Sequence, residues 1–248
     1  MNRTVERRCF VKLFAAAAAA ATTGANPALL AAPGATARLY DRTALVDDDG
    51  APITAHGLDI GRTYVFHYPY ATTPCFLLDL GRPVPADVEL STEAGEPYAW
   101  PGGAGEGRSI VAFAAICAHK MSHPAKDVSF INYRHGKVRY LDSRDRSRER
   151  SGVIFCCSEK SVYDPSDGAR VLGGPAKQPL ATILLQSEPE SGALYALGTV
   201  GGEMYDAYFE KFAFRLALEH ETSDIQRRTG ETSLVMGIEE YSRTIMRC

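Results

Sequence analysis

Residues 152–180, GVIFCCSEKSVYDPSDGARVLGGPAKQPL, leave this chain few ways to fold. A β-branched run ends in adjacent cysteines, Cys156 and Cys157. A polar turn with Glu159 follows, then a short run through Ser161 and Tyr163 to Asp164, then Gly168, Gly174-Pro175-Ala176 and Pro179-Leu180. Short strand-type runs punctuated by glycine and proline read as antiparallel β structure. Earlier in the chain, Cys117-Ala118-His119-Lys120 places a second thiol two residues from an imidazole. Thiolate and imidazole are side chains that bind zinc and iron, so Cys117, His119 and Cys156 give the two segments three ligand-type residues with a carboxylate nearby.

In register, these positions resemble the two cluster-binding loops of the Rieske family, which holds a 2Fe-2S centre between a Cys-x-His loop and a Cys-x-x-His loop. The family's second loop reads Cys-Pro-Cys-His-Gly-Ser-x-Tyr/Phe-Asp, then a glycine, Gly-Pro-Ala and Pro-Leu. Cys156, Ser161, Tyr163, Asp164, Gly168, residues 174–176 and residues 179–180 fall on it. In the first loop, Cys-x-His-x-Gly-Cys-x-Pro, the chain supplies Cys117, His119 and Pro124. Two departures accompany the matches. Glu159 stands where the family has its second histidine, and Ser122 and Ser158 stand where many members have a loop-to-loop disulfide.

The resemblance implies Cys117, His119, Cys156 and Glu159 as metal ligands. It also implies Ser161 and Tyr163 as hydroxyl donors to the cluster's sulfurs, which tune its potential upward. Neutral imidazoles raise a cluster's potential, whereas a carboxylate adds negative charge and favours the ferric state. A lower potential with a weaker pH dependence is therefore expected. Three alternatives stand for the fourth ligand: Glu159 by position, His123 by proximity to His119, or no cluster at all on a retained scaffold. Cys157 is either a structural thiol or a ligand in place of Cys156. Two cysteines, a histidine and a glutamate would also suit a mononuclear metal such as zinc.

The leader agrees with a cofactor protein. Arg7-Arg8-Cys9-Phe10-Val11-Lys12 resembles the twin-arginine export consensus and precedes an alanine-rich run at 13–21 and the small residues 35–37. That run falls short of the roughly 20 apolar residues of a membrane span. The expectation is a periplasmic protein exported folded, touching a membrane only through an uncleaved signal. A net charge of −3 excludes a general nucleic-acid binder. Cys75 and Cys248 are left to pair or stay free.

Along the chain, residues 64–68, 75–80 and 109–115 read as strands, and the glycine-rich stretch 102–107 as a turn. Tyr68-Pro69, Thr73-Pro74-Cys75, residues 80–84 and residues 117–120 resemble the small subunit of arsenite oxidase, itself a twin-arginine-exported Rieske protein. Residues 128–133 and 137–141 suggest a hairpin turning at His135-Gly136, and 143–151 is a charge run that is either a solvated loop tip or a partner surface. Residues 182–186 and 193–197 read as a further strand pair. Met204, Tyr208, Phe212 and Leu216 recur at helical spacing, and 231–246 suggests a second helix. The first helix either packs on the β domain or docks on a partner subunit.

The expected fold is all-β: a Rieske-like antiparallel β-sandwich with an inserted cluster-binding subdomain and a helical C-terminal extension. The expected organisation is an export signal at 1–37, a Rieske-like domain at 38–200 with cluster loops at 117–124 and 156–164, and the extension at 201–248. The expected function is that of an electron-transfer subunit. It would pass single electrons between a partner, either a molybdenum-type oxidoreductase subunit or a cytochrome, and a cytochrome or quinol pathway. The competing class is a degenerate scaffold with a structural or assembly role. A Rieske oxygenase is excluded, because only His220 follows the second loop and no two-histidine iron site can be built there.

Overall fold

The computed structural model describes residues 37–248, and the export-signal reading, with Arg7, Arg8 and Cys9, lies outside the described residues. The described chain is mostly β. Its first half holds β1 (Arg38–Val46), β2 (Tyr64–His67), β3 (Pro74–Asp79), β4 (Val88–Ser91), β5 (Pro97–Trp100) and β6 (Ile110–Ala114). An insertion follows with β7 (Val128–Ser129), β8 (Ile131–Arg134), β9 (Val138–Leu141), β10 (Ser147–Arg150), β11 (Val153–Cys156), β12 (Val162–Asp164) and β13 (Arg170–Gly173). The chain then returns through β14 (Thr182–Ser187) and β15 (Leu194–Val200) to helix α1 (Tyr205–Glu219). It ends with β16 (Thr232–Leu234), β17 (Met236–Gly237), the one-turn helix α2 (Ile238–Tyr241) and β18 (Thr244–Ile245).

The main sheet runs β16-β1-β15-β14-β6-β3-β2-β17. Its two edge strands are consecutive in sequence, separated by Val235 alone, so one extended segment pairs with β1 on one side and β2 on the other. The sheet is thereby curled nearly into a barrel, and its exposed edges are largely removed. Every residue of β3 and β6 is buried, which marks both as covered on two faces. Alternation sends Cys75, Leu77, Ile110 and Ala112 into the barrel core with Leu45, Phe66, Tyr68 and Ile183. The opposite face of β6 carries Phe113, whose ring stacks on fully buried Trp100 at 6.3 Å. Burying two such aromatics contributes roughly 2–3 kcal/mol each.

Trp100 also fixes the insertion. Gly168, with φ +62, ends the turn after β12 directly against Trp100 and Leu90, where no Cβ would fit. Arg170 reaches from β13 to the Glu89 carbonyl at 3.1 Å. The β4–β5 hairpin thus wedges between the barrel and the inserted antiparallel sheet β13-β12-β11-β8.

Two local expectations are corrected. The hairpin at His135-Gly136 does not form, because β8 pairs with β11 while β9 pairs with β10. Asp142 closes the β9–β10 turn, accepting from the N–H groups of Arg144 and Arg146, so half of the charge run is strand. The second helix shrinks to α2, since residues 232–237 pair as strands with Ser233, Val235 and Gly237 facing inward. The first helix packs on Ala114, Ile116 and Ala181 through Tyr205, Tyr208, Phe209 and Leu216. Among the described residues no helix is long and apolar enough to cross a membrane.

Candidate metal centre

The two loops singled out in the sequence meet at one end of the inserted sheet and share one backbone design. In the first, the Cys117 N–H donates to Ser122 O (2.9 Å) and the Met121 N–H to Cys117 O (2.9 Å). In the second, the Cys156 N–H donates to Ser161 O (2.9 Å) and the Lys160 N–H to Cys156 O (2.7 Å). The residue four places after each cysteine takes the left-handed conformation, with φ 63 at Met121 and φ 59 at Lys160. Neither is glycine, so both turns hold backbone strain of the kind concentrated at functional sites. A third segment presses on them: at Gly174, φ +80, a side chain would collide with the Lys160 carbonyl and Ser161.

This shared turn brings Cys117 and Cys156 together in the interior, both with no solvent exposure. The Cys117 sulfur is held low, to about 6, chiefly by the Cys156 thiol, with Tyr163 and the His119 N–H assisting against burial. The Cys156 thiol is pushed up by the same pairing and by burial. Tyr163 Oη lies 3.2 Å from the Cys117 sulfur and accepts the Ala118 N–H at 3.0 Å. The Glu159 N–H faces the Cys156 sulfur as the His119 N–H faces that of Cys117. The Ser161 hydroxyl is buried without a well-aligned hydrogen bond and acts on Cys117 only weakly.

At the outer edge, His119 Nδ1 lies 3.3 Å from Glu159 Oε2, a close approach without hydrogen-bond alignment, and the nitrogen is otherwise unpartnered. Lys120 Nζ stands 3.8 Å from the same carboxylate oxygen. Among the described residues no three His, Cys, Asp or Glu side chains group as a metal site, and the candidates Cys117, His119, Cys156 and Glu159 are not brought to one point. They fall into two pairs: buried Cys117 with Cys156, and partly exposed His119 with Glu159.

His123 goes elsewhere. Its Nδ1 meets the Met121 carbonyl at 2.9 Å, and its ring lies edge-on to Tyr208 and Phe212 of α1 at 4.9 and 4.8 Å. Cys157 is taken out of contention by a disulfide to Cys248, with Cα atoms 5.7 Å apart. Strand alternation at the end of β11 turns it away from Cys156, and its N–H bonds to Phe130 O. Cys75 stays free and buried, its thiol donating to Tyr68 O at 3.1 Å. Sequence reasoning missed this disulfide and the loop-closing serine carbonyls; the repeated Cys-to-Ser spacing of five in both loops is the signal that could have found the latter.

No protein-family model matches the chain. Among solved structures, the chain is similar to the soluble domain of Rieske protein II (soxF) from Sulfolobus acidocaldarius, with 23% identity and a TM-score of 0.42, covering 66% of this chain and 82% of that one.

Proposed function

We infer that the chain is a Rieske-type electron-transfer protein, with Cys117 and Cys156 holding the buried side of a 2Fe-2S cluster and His119 and Glu159 the outer side. The observation that carries this reading is the convergence of two identically built cysteine turns on a buried pair of neighbouring thiols. The orphaned polar atoms fit such a group: His119 Nδ1 and Ser161 Oγ are buried and lack partners, which costs about 1–3 kcal/mol each unless something bonds them. The pairs Cys117–Cys156 and His119–Glu159 offer two ligands to each of two irons, the ligand count of such a cluster. When bound, the cluster supplies one-electron transfer.

The chain's own residues set the terms of that transfer. The O–H of Tyr163 and the N–H groups of His119 and Glu159 point at the cysteine sulfurs and offset their negative charge, which raises the potential. Glu159 in place of an imidazole lowers it and removes one titrating ligand, so the potential depends weakly on pH. Burial of both cysteines excludes water from the inner side, leaving the His119–Glu159 edge as the route for electrons. The Arg7-Arg8 leader supports periplasmic export, and residues 68–84 support kinship with the small subunit of arsenite oxidase, a redox subunit serving a larger oxidoreductase. Iron and acid-labile sulfide assays on anaerobically purified protein, with electron paramagnetic resonance after dithionite reduction, test the reading. Two irons, two sulfides and a rhombic signal with average g below that of all-thiolate clusters are expected. Protein without iron and sulfide overturns it.

A further inference from the structure

The tips of the two loops and the adjoining stripe of α1 carry more cations than acids: Lys120, Lys160, Lys211 and Arg215 against Glu159 and Glu210. The chain is net −3, yet the loop tips present Lys120, whose side chain is 61% exposed, and Lys160, while α1 adds Lys211. These groups are contiguous: Lys211 Nζ donates to the Lys120 carbonyl at 2.9 Å, Lys120 reaches Glu159, and Lys160 follows Glu159 in the turn. Lys160 and Lys211 form no ion pair with any described carboxylate, and Glu159, the one acid on the tips, already faces His119 and Lys120. From Lys211 the outward stripe of α1 continues through Phe214, 79% exposed, Arg215, and Leu218, 65% exposed, alongside the first loop, which Lys126 ties to Glu219. Phe214 and Leu218 lie one turn apart on this stripe, with Lys211 and Arg215 on one flank and the exposed Glu210 on the other.

Resting on the electron-transfer reading, we propose that the loop tips and the outward stripe of α1 form one docking surface for a redox protein whose acidic rim surrounds an apolar cofactor edge. The lysines steer approach and register, and Phe214 and Leu218 supply the desolvated contact. The partner's cofactor then comes to rest against the His119–Glu159 edge, with the two buried cysteines behind it.

The test oxidises the reduced, full-length protein with ferricyanide and, separately, with tris(phenanthroline)cobalt(III), across a range of ionic strength. Steering by this face makes ferricyanide slow down with added salt, by roughly three- to tenfold, and the cobalt complex speed up. A net charge of −3 alone gives both slopes the opposite sign. Lys120→Glu/Lys160→Glu/Lys211→Glu should invert both slopes, and Lys137→Glu/Arg139→Glu/Arg144→Glu on the β9–β10 ribbon should leave their signs unchanged. With an acidic c-type cytochrome as oxidant, Phe214→Ala/Leu218→Ala should raise the half-saturating concentration about tenfold at an unchanged limiting rate. Slopes that follow net charge, or an unaltered half-saturation, overturn the docking surface while leaving the electron-transfer reading intact. Iron and sulfide assayed on the same samples mark the other failure: their absence overturns both.

Discussion

The two ligand loops share a backbone design but are held in opposite ways. The Cys117 loop is gripped without a covalent link. His123 packs against Tyr208 and Phe212, Lys211 holds the Lys120 carbonyl, and Lys126 holds Glu219 at both its N–H and its ammonium. The Cys156 loop is held by the Cys157–Cys248 disulfide, and Asn132 and Arg134 of β8 bind the Met246 carbonyl beside it. Where the resembled family joins its loops to each other, Ser122 and Ser158 leave them unjoined here, and the C-terminal residues hold each one separately. Stability at the candidate metal centre therefore depends on two independent devices, one answering to packing and protonation and the other to reduction.

The largest effect should come from cutting the covalent device. The disulfide closes a sequence separation of 91 residues, so Cys248→Ser should cost about 4 kcal/mol in urea unfolding. It also frees the Cys157 thiol beside Cys156, and iron retention should fall more than in Cys157→Ser/Cys248→Ser, which leaves no competing thiol. In amide hydrogen exchange, Cys248→Ser should expose residues 156–161 while residues 117–124 stay protected.

Loosening the packed device comes next. His123→Ala removes a buried ring from between two aromatics and should cost about 2–3 kcal/mol, with exchange rising in residues 117–124 and not in 156–161. Comparable exchange in both loops for both variants would break the comparison.

Acid should act on the packed loop first. His67 of β2 and His220 at the end of α1 meet edge to face at 5.3 Å, and His67 also meets the Tyr241 hydroxyl at 3.2 Å. Burial, then the neighbouring His220 and Lys126, pull His67 down to about 3, and burial lowers His220 as well despite Glu219. A base lowered in the folded state stays neutral while the unfolded chain takes up its proton. Stability is therefore full above about pH 6.5 and falls as pH drops toward the folded values. Between pH 7 and 4 His67 alone should cost about 3 kcal/mol, and His67→Phe should flatten that part of the profile.

The contrast also explains what was legible. Cys117, His119, Cys156, Ser161 and Tyr163 stand out by resemblance to the two loops of a known family, and that match is available because they belong to short turns whose geometry is local. The α1 helix showed through its 3.6 periodicity, although the loop it grips did not, because pattern names a buried face and not its neighbour. Cys157 pairs across 91 residues, a separation that no spacing rule resolves when the sequence holds four other cysteines. Residues 234, 238, 241 and 245 mimic a helical stripe. Only 238–241 make a helical turn, and residues 232–237 are extended because the open edges of β1 and β2 offer hydrogen bonds that one extended segment satisfies at once.

The fourth ligand is the most exposed point of the account, and hyperfine spectroscopy of the reduced cluster reads it directly. In protein carrying ¹⁵N-labelled histidine, pulsed electron paramagnetic resonance should find one strongly coupled imidazole nitrogen, that of His119, with the outer iron completed by Glu159. Two coupled nitrogens would contradict the assignment, since a second histidine would then have displaced Glu159, and none would contradict His119 as a ligand.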